Sequence, residues 1–172
     1  MINILFGNGL RFIAFILMQV LVINNLGLSF YINPYLYPFL LMMLPFTIPH
    51  WLLIVIGFFT GLTVDAFCNT MGMHAAACTF MTAMRPIVLR FLTPKGSYES
   101  LDQPRVQSLG YGWFIAYTGT LTLLHHFFYF YIEVFSMDNF FLTFAKTLAS
   151  AIVSTVLIFL TALIFAPGKS RG

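Results

Sequence analysis

Glycine, aspartate and asparagine recur every four residues in one apolar stretch of the chain. Gly57, Gly61, Asp65 and Asn69 fall on one helix face, because residues four apart are neighbours on a helix surface. A carboxylate in such a run is costly to expose to hydrocarbon and normally faces other helices or a wet cavity. The pattern therefore predicts an interior polar site centred on Asp65. A carboxylate there can form an ion pair, accept hydrogen bonds or carry a proton.

The composition indicates the medium in which these residues lie. Of the 172 residues, 60% are hydrophobic and 8% are charged, and the mean hydropathy is +0.91. Soluble domains are about 25% charged. We therefore expect residues 1–172 to form a single integral membrane domain. The formal net charge of +3 is small and dispersed, which argues against a nucleic-acid partner.

Six apolar stretches are candidates for membrane spans, which need roughly 17 to 25 residues each. The second stretch is short and contains Pro34, Pro38 and Pro45, so we expect it to be short, kinked or partly re-entrant. The predicted fold is an all-α, polytopic bundle of six transmembrane helices. The spans cover about 12–28, 33–46, 51–67, 73–92, 110–132 and 139–165.

The basic residues predict the orientation, because Lys and Arg next to short loops prefer the cytoplasm. With six crossings, Arg11, the basic connection 93–109 and Lys169 all fall on one side. The opposite loops carry Glu133 and Asp138. Both termini are therefore expected in the cytoplasm.

This orientation places several polar residues at one depth in the outer half of the bundle, at about 1.5 Å of rise per residue. Asp65 and Lys146 match in depth and sign, so we expect them to form an ion pair. Arg85 would lie more than about 10 Å deeper, and we expect it to extend to the inner interface. The predicted buried polar cluster consists of Asp65, Asn69, His74, His125 and Lys146.

Catalytic and metal sites are not predicted. His125 and His126 lack further ligands at a set spacing, and Cys68 and Cys78 are expected to be buried thiols. The sequence contains no nucleophile motif with a base and orienting group, and no His-Glu-x-x-His or phosphate-binding glycine loop. We expect no catalytic residue, metal or cofactor.

An ensemble of short segments carries a family resemblance. These are Gln19-Val20-Leu21 with Asn24-Asn25, Asn33-Pro34-Tyr35-Leu36-Tyr37-Pro38, Gly61-Leu62-Thr63-Val64-Asp65-Ala66-Phe67, Asn69-Thr70-Met71-Gly72-Met73-His74-Ala75-Ala76-Ala77, Arg85-Pro86 and Leu92-Thr93-Pro94. Together they resemble the rod shape-determining protein MreD family, and its Bacteroidetes-type version most of all. The last two spans add nothing diagnostic.

The resemblance implies a non-enzymatic scaffold of the cell-elongation and peptidoglycan-synthesis machinery in the bacterial inner membrane. Proteins like it bind MreC and act with MreB, RodA and a class B penicillin-binding transpeptidase. The family fold is similar to the six-helix substrate-binding components of energy-coupling-factor vitamin transporters. On this basis we expect the single helix of MreC to pack on Gly57 and Gly61, whose spacing allows close contact between membrane helices.

Two other functions fit the same residues. A small-molecule binding component of a vitamin-type importer requires the polar cluster to line a pocket open to the periplasm. A proton- or ion-coupled carrier requires Asp65 to be the titrating group.

Overall fold

The computed structural model describes residues 12–25, 32–93, 98, 103–135 and 139–164. These residues are mostly helical and contain no β-strand, which confirms the all-α prediction. The helices are α1 (Phe12–Asn25), α2 (Pro38–Met42), α3 (His50–Cys68), α4 (Met73–Phe91), α5 (Val106–Leu109), α6 (Tyr111–Val134) and α7 (Phe140–Ile164).

The long helices pack as neighbours in chain order. α3 packs against α4, α4 against α6, and α6 against α7, while α2 contacts α3, α4 and α6. The centre of this arrangement is filled by completely buried side chains such as Phe114 and Tyr117 on α6 and Cys78 on α4. The two helices at this centre, α4 and α6, carry several of the buried polar residues, among them His74, Arg85 and His125.

The outer helices α3 and α7 have apolar surfaces. Both are long and apolar enough to cross a membrane, with mean hydropathies of 1.9 and 2.3 over their most apolar windows. Only 33% of each window is buried, and large side chains such as Phe59 and Ile152 are exposed. Exposed apolar surface of this extent marks contact with lipid or another protein. These two helices are candidate membrane spans.

Five predicted spans coincide with α1, α3, α4, α6 and α7, and residues 26–28 and 165 lie outside the described residues. The second predicted span is not a continuous helix. Only Pro38–Met42 is helical, a length of about 7 Å. Pro34 disfavours helix at the preceding residue, and Pro38 begins α2 at a position where its missing N–H costs nothing.

Candidate functional site

The four-residue repeat on α3 forms the contact with α4. Gly57 and Gly61 are buried, and a Cβ atom on Gly57 would lie 2.6 Å from Thr82 Oγ1. A Cβ atom on Gly61 would overlap with the backbone of His74 and Ala75. The glycines therefore let α3 and α4 approach closely. This face is occupied by the chain's own α4 and is closed to a partner helix, which corrects the expectation that MreC packs there.

Asp65 caps the N-terminus of α4. Its Oδ1 accepts hydrogen bonds from His74 N at 3.0 Å and Thr70 Oγ1 at 2.5 Å, and its Oδ2 accepts one from Ala75 N at 2.8 Å. The first N–H groups of a helix have no intrahelical acceptor, and the helix dipole favours a negative charge there. The residue preceding α4 is Gly72, which has no side chain to cap with. Asp65 supplies the missing cap from the neighbouring helix.

Asn69 ends α3 and is not part of the buried cluster. Its backbone adopts the left-handed conformation, with φ 55° and ψ 39°, and the residue is exposed. Asparagine tolerates this conformation better than most residues. The fourth member of the repeat therefore turns the chain toward α4, and its place in the predicted cluster is wrong.

Lys146 forms an ion pair with Glu133. Its Nζ lies 2.8 Å from Glu133 Oε2, and it also lies 4.4 Å from the centre of the Phe130 ring. Both partners belong to the α6–α7 contact, and their side chains are 20% and 33% exposed. The predicted pair with Asp65 does not form, because α7 packs on α6 while Asp65 faces α4.

His74 and His125 do come together, through a tyrosine that bridges them. The Tyr37 hydroxyl lies 2.9 Å from His74 Nδ1 and 2.7 Å from His125 Nε2. A phenol both donates and accepts, so it can donate to one imidazole while the other donates to it. All three residues are buried. The two rings and the phenol thus link α4, α6 and the segment before α2.

Tyr37 belongs to the buried segment, which we define as residues 32–44. Turn bonds at the two ends of α2 involve the backbone of Leu36, Tyr37 and Met43. Other backbone groups of the segment bond to side chains of the surrounding helices. Gln19 on α1 accepts a hydrogen bond from Leu36 N at 2.6 Å and donates one to Pro34 O at 3.1 Å. Gln19 is completely buried within a π-helical turn of α1.

Two serines on α7 hold the beginning of the buried segment. Ser150 Oγ accepts from Asn33 N at 3.0 Å, and Ser154 Oγ accepts from Tyr35 N at 2.9 Å. The alternate N–H groups of this extended stretch point the same way. The serines are four residues apart on one helix face, so their spacing matches the two donors.

Arg85 and Tyr117 hold the end of the buried segment. The Tyr117 hydroxyl donates to Met42 O at 2.8 Å, and the Arg85 guanidinium donates to Met42 O at 3.3 Å, to Leu44 O and, through Nε, to Tyr117 Oη at 2.7 Å. Arg85 is only 3% exposed. It does not extend to an interface as expected, because the free carbonyls after α2 provide acceptors inside the protein.

A cavity of about 280 Å³ opens beside the start of the buried segment. His74 forms part of its wall, and the Nε2 of this ring has no hydrogen-bond partner among the described residues, since only Nδ1 is bonded to Tyr37. Among the described residues, no three His, Cys, Asp or Glu side chains come together as a metal site. The lining residues include Asn24, Asn33, Tyr35, His74, Tyr129 and Glu133.

Several residues that organise this interior were not predicted to do so. Ser150 and Ser154 are four residues apart in an otherwise apolar helix and therefore share one face. This four-residue spacing of polar residues is a signal that the sequence contains. Gln19 is an isolated amide in an apolar stretch. Tyr37 carries no such signal, because a tyrosine in an apolar run is also typical of a membrane interface.

Comparison of the chain with protein-family models, with curated proteins and with solved structures finds no match.

Proposed function

We propose that this chain is a non-enzymatic membrane scaffold of the cell-elongation machinery, the assembly that builds peptidoglycan during rod-shaped growth. The proposal follows from the resemblance of its first four spans to the MreD family. In this role the chain binds MreC and acts together with MreB, RodA and a class B penicillin-binding transpeptidase. It contributes helix surfaces that hold these partners rather than a chemical step.

The observation that carries the proposal is that the polar residues of the resembling segments hold the fold together. Asp65 caps α4, Gln19 binds the backbone of the buried segment, and Arg85 binds the carbonyls at its end. Each of these side chains is buried. Interior bonds of this kind fix the helices relative to one another, while α3 and α7 present apolar faces. A rigid bundle with apolar outer faces is suited to binding other membrane helices.

We further propose six crossings of the bacterial inner membrane, with both termini in the cytoplasm. The buried segment supports a second crossing, since Tyr37 bonds to His74 and Met42 bonds to Arg85. These two α4 residues are about 16 Å apart along the helix. The segment therefore runs lengthwise along α4. A short helix within an extended crossing is compatible with a membrane because protein side chains satisfy its backbone. The six-crossing arrangement would be similar to the substrate-binding components of energy-coupling-factor transporters.

The helix of MreC needs a face that the chain itself leaves open. Gly112 and Ala116 are exposed and four residues apart on α6, and no atom lies within 4 Å of a Cβ built on Gly112. This spacing allows close helix packing. Ala116→Leu is expected to lower the amount of co-purified MreC, whereas Ala145→Leu, an equally bulky change on exposed α7, leaves it unchanged. Equal recovery with both variants would rule out this face of α6.

Depletion of the protein in its native host tests the scaffold role itself. We expect rounded cells and loss of MreC from the assembly, measured by microscopy and by quantitative co-purification. Normal cell shape with an intact assembly would refute the proposal.

The second candidate is the binding component of a small-molecule importer, which the 280 Å³ cavity favours. Loss of uptake of a labelled solute on depletion, with normal cell shape, would support it over the scaffold. The carrier hypothesis has less support, because the carboxylate of Asp65 already accepts three hydrogen bonds and is 3% exposed. A group held in this way is poorly placed to exchange a proton or an ion.

A further inference from the structure

The cavity beside the buried segment is not required by the scaffold role. We propose that it binds a small uncharged solute that carries hydroxyl or amide groups and is about the size of a monosaccharide. Its volume of about 280 Å³ is just below the usual range of small-molecule sites, roughly 300 to 1,000 Å³, as suits a small ligand. The inference stands independently of the binding of MreC, and it specifies a ligand class for the importer alternative.

Three buried rings form a rigid wall of the cavity. Tyr35 and Tyr129 meet edge to face with ring centres 5.1 Å apart, and the His74 ring lies 4.5 Å from Tyr129 and 5.1 Å from Tyr35. All three residues are at least nine-tenths buried. Rings packed against one another in this way are fixed before any ligand binds. They offer an apolar surface for C–H groups with phenolic hydroxyls beside it.

An unpaired nitrogen in this wall provides a specific hydrogen-bonding position. His74 is 2% exposed, and Tyr37 fixes its ring through Nδ1. Its Nε2 has no partner among the described residues, although its ring forms part of the cavity wall. Among the described residues, the buried side-chain atoms without a partner are Thr122 Oγ1 and His125 Nδ1, whereas His74 Nε2 is accessible. Because the His74 ring lines the cavity, its Nε2 can bond to a ligand group or a water there.

The charged groups around the cavity are already compensated, which favours a neutral ligand. Glu133 lines the cavity and is paired with Lys146 at 2.8 Å. Asp65, behind the wall, accepts three hydrogen bonds from its own surroundings. The remaining polar lining includes the amides of Asn24 and Asn33. Amides, phenols and imidazoles both donate and accept, and so do the hydroxyl and amide groups of a neutral solute.

The test is direct binding to the full-length protein in lipid nanodiscs, without maltoside detergents because their head groups are sugars. Isothermal titration calorimetry would compare N-acetylglucosamine and glucose with choline and inorganic phosphate. We expect saturable binding of at least one sugar and none of the charged probes. Tyr129→Phe is expected to weaken sugar binding about two- to tenfold, the effect of one neutral hydrogen bond.

Tyr131→Phe is the matched control, because its hydroxyl bonds to Phe140 O outside the cavity. This variant should bind the sugar as the unmodified protein does. Failure of both sugars to bind, preferential binding of choline or phosphate, or equal weakening by the two variants would overturn the inference. Recovery of MreC with Tyr129→Phe is measured in parallel. Unchanged recovery with weakened sugar binding would separate the cavity from the scaffold role.

Discussion

Replacing Asp65 with asparagine tests whether this carboxylate is a helix cap. The side chain is 3% exposed, and its two oxygens accept three hydrogen bonds. Asparagine retains one oxygen, which can still accept from Thr70 and His74. Its amide nitrogen then faces Ala75 N–H, donor against donor. Asp65→Asn is therefore expected to lose one bond to a charged acceptor and the favourable interaction with the dipole of α4.

The expected loss of stability follows from these two contributions. A hydrogen bond to a charged group contributes about 1.5 to 3 kcal/mol. A charge at a helix N-terminus adds about 0.3 to 1 kcal/mol. Asp65→Asn should therefore lower the free energy of unfolding by about 2 to 4 kcal/mol. Unfolding in mixed micelles with increasing dodecyl sulfate, followed by circular dichroism, measures this quantity.

Glu133→Gln is the matched control, since it makes the same change of carboxylate to amide in a partly exposed ion pair. Such pairs contribute about 0 to 1 kcal/mol, so the control should be nearly as stable as the unmodified protein. Equal stability of Asp65→Asn and the unmodified protein would refute the capping role. If that stable variant also failed to support growth, Asp65 would regain its candidacy as a titrating group.

Three further changes, one with a matched control, probe the interior; the glycine and Gln19 variants use the same unfolding assay, and the Arg85 variant uses hydrogen exchange. Gly61→Ala should destabilise the protein by about 1 to 3 kcal/mol because the added methyl group meets the α4 backbone. Gly119→Ala is its control: the nearest atom to the added methyl group is 3.7 Å away, so this variant should stabilise the protein by up to about 1 kcal/mol. Gln19→Leu should cost about 2 to 6 kcal/mol, since it removes the partner of Pro34 O and Leu36 N and also the longer bond from Tyr37 N. An unchanged unfolding midpoint would contradict this. Arg85→Met should destabilise the end of the buried segment, detected as faster hydrogen exchange there, and unchanged exchange would argue against its role.

The helices could be predicted because their signals are local. Long apolar stretches predicted α3 and α7, and their ends agree with the structure within one residue where the structure describes them. The interior position of Asp65 was also predictable, because the cost of exposing a carboxylate to hydrocarbon does not depend on which helix lies next to it. The second span was identified as irregular from its three prolines, although its side-chain partners were not.

The partners of the polar residues could not be predicted in the same way. Depth along the membrane normal is one coordinate, and it made Lys146 look suitable for Asp65. The contacts of a side chain also depend on which neighbouring helix its own helix face meets. The face of α7 that carries Lys146 meets α6, so Lys146 pairs with Glu133 instead. The same limit applies to Arg85. Its backbone acceptors are Met42 O and Leu44 O, which come within reach only because the chain after α2 packs against α4.

The sequence by itself determined the helical class, the positions of the five long helices and the burial of Asp65, since each depends on the cost of placing given side chains in an apolar medium. The tertiary structure decided which helices are neighbours. It made Gly57 and Gly61 an internal contact, made Asp65 the cap of α4, and opened a cavity beside His74. These features depend on contacts between distant parts of the chain, which arise only when the helices pack.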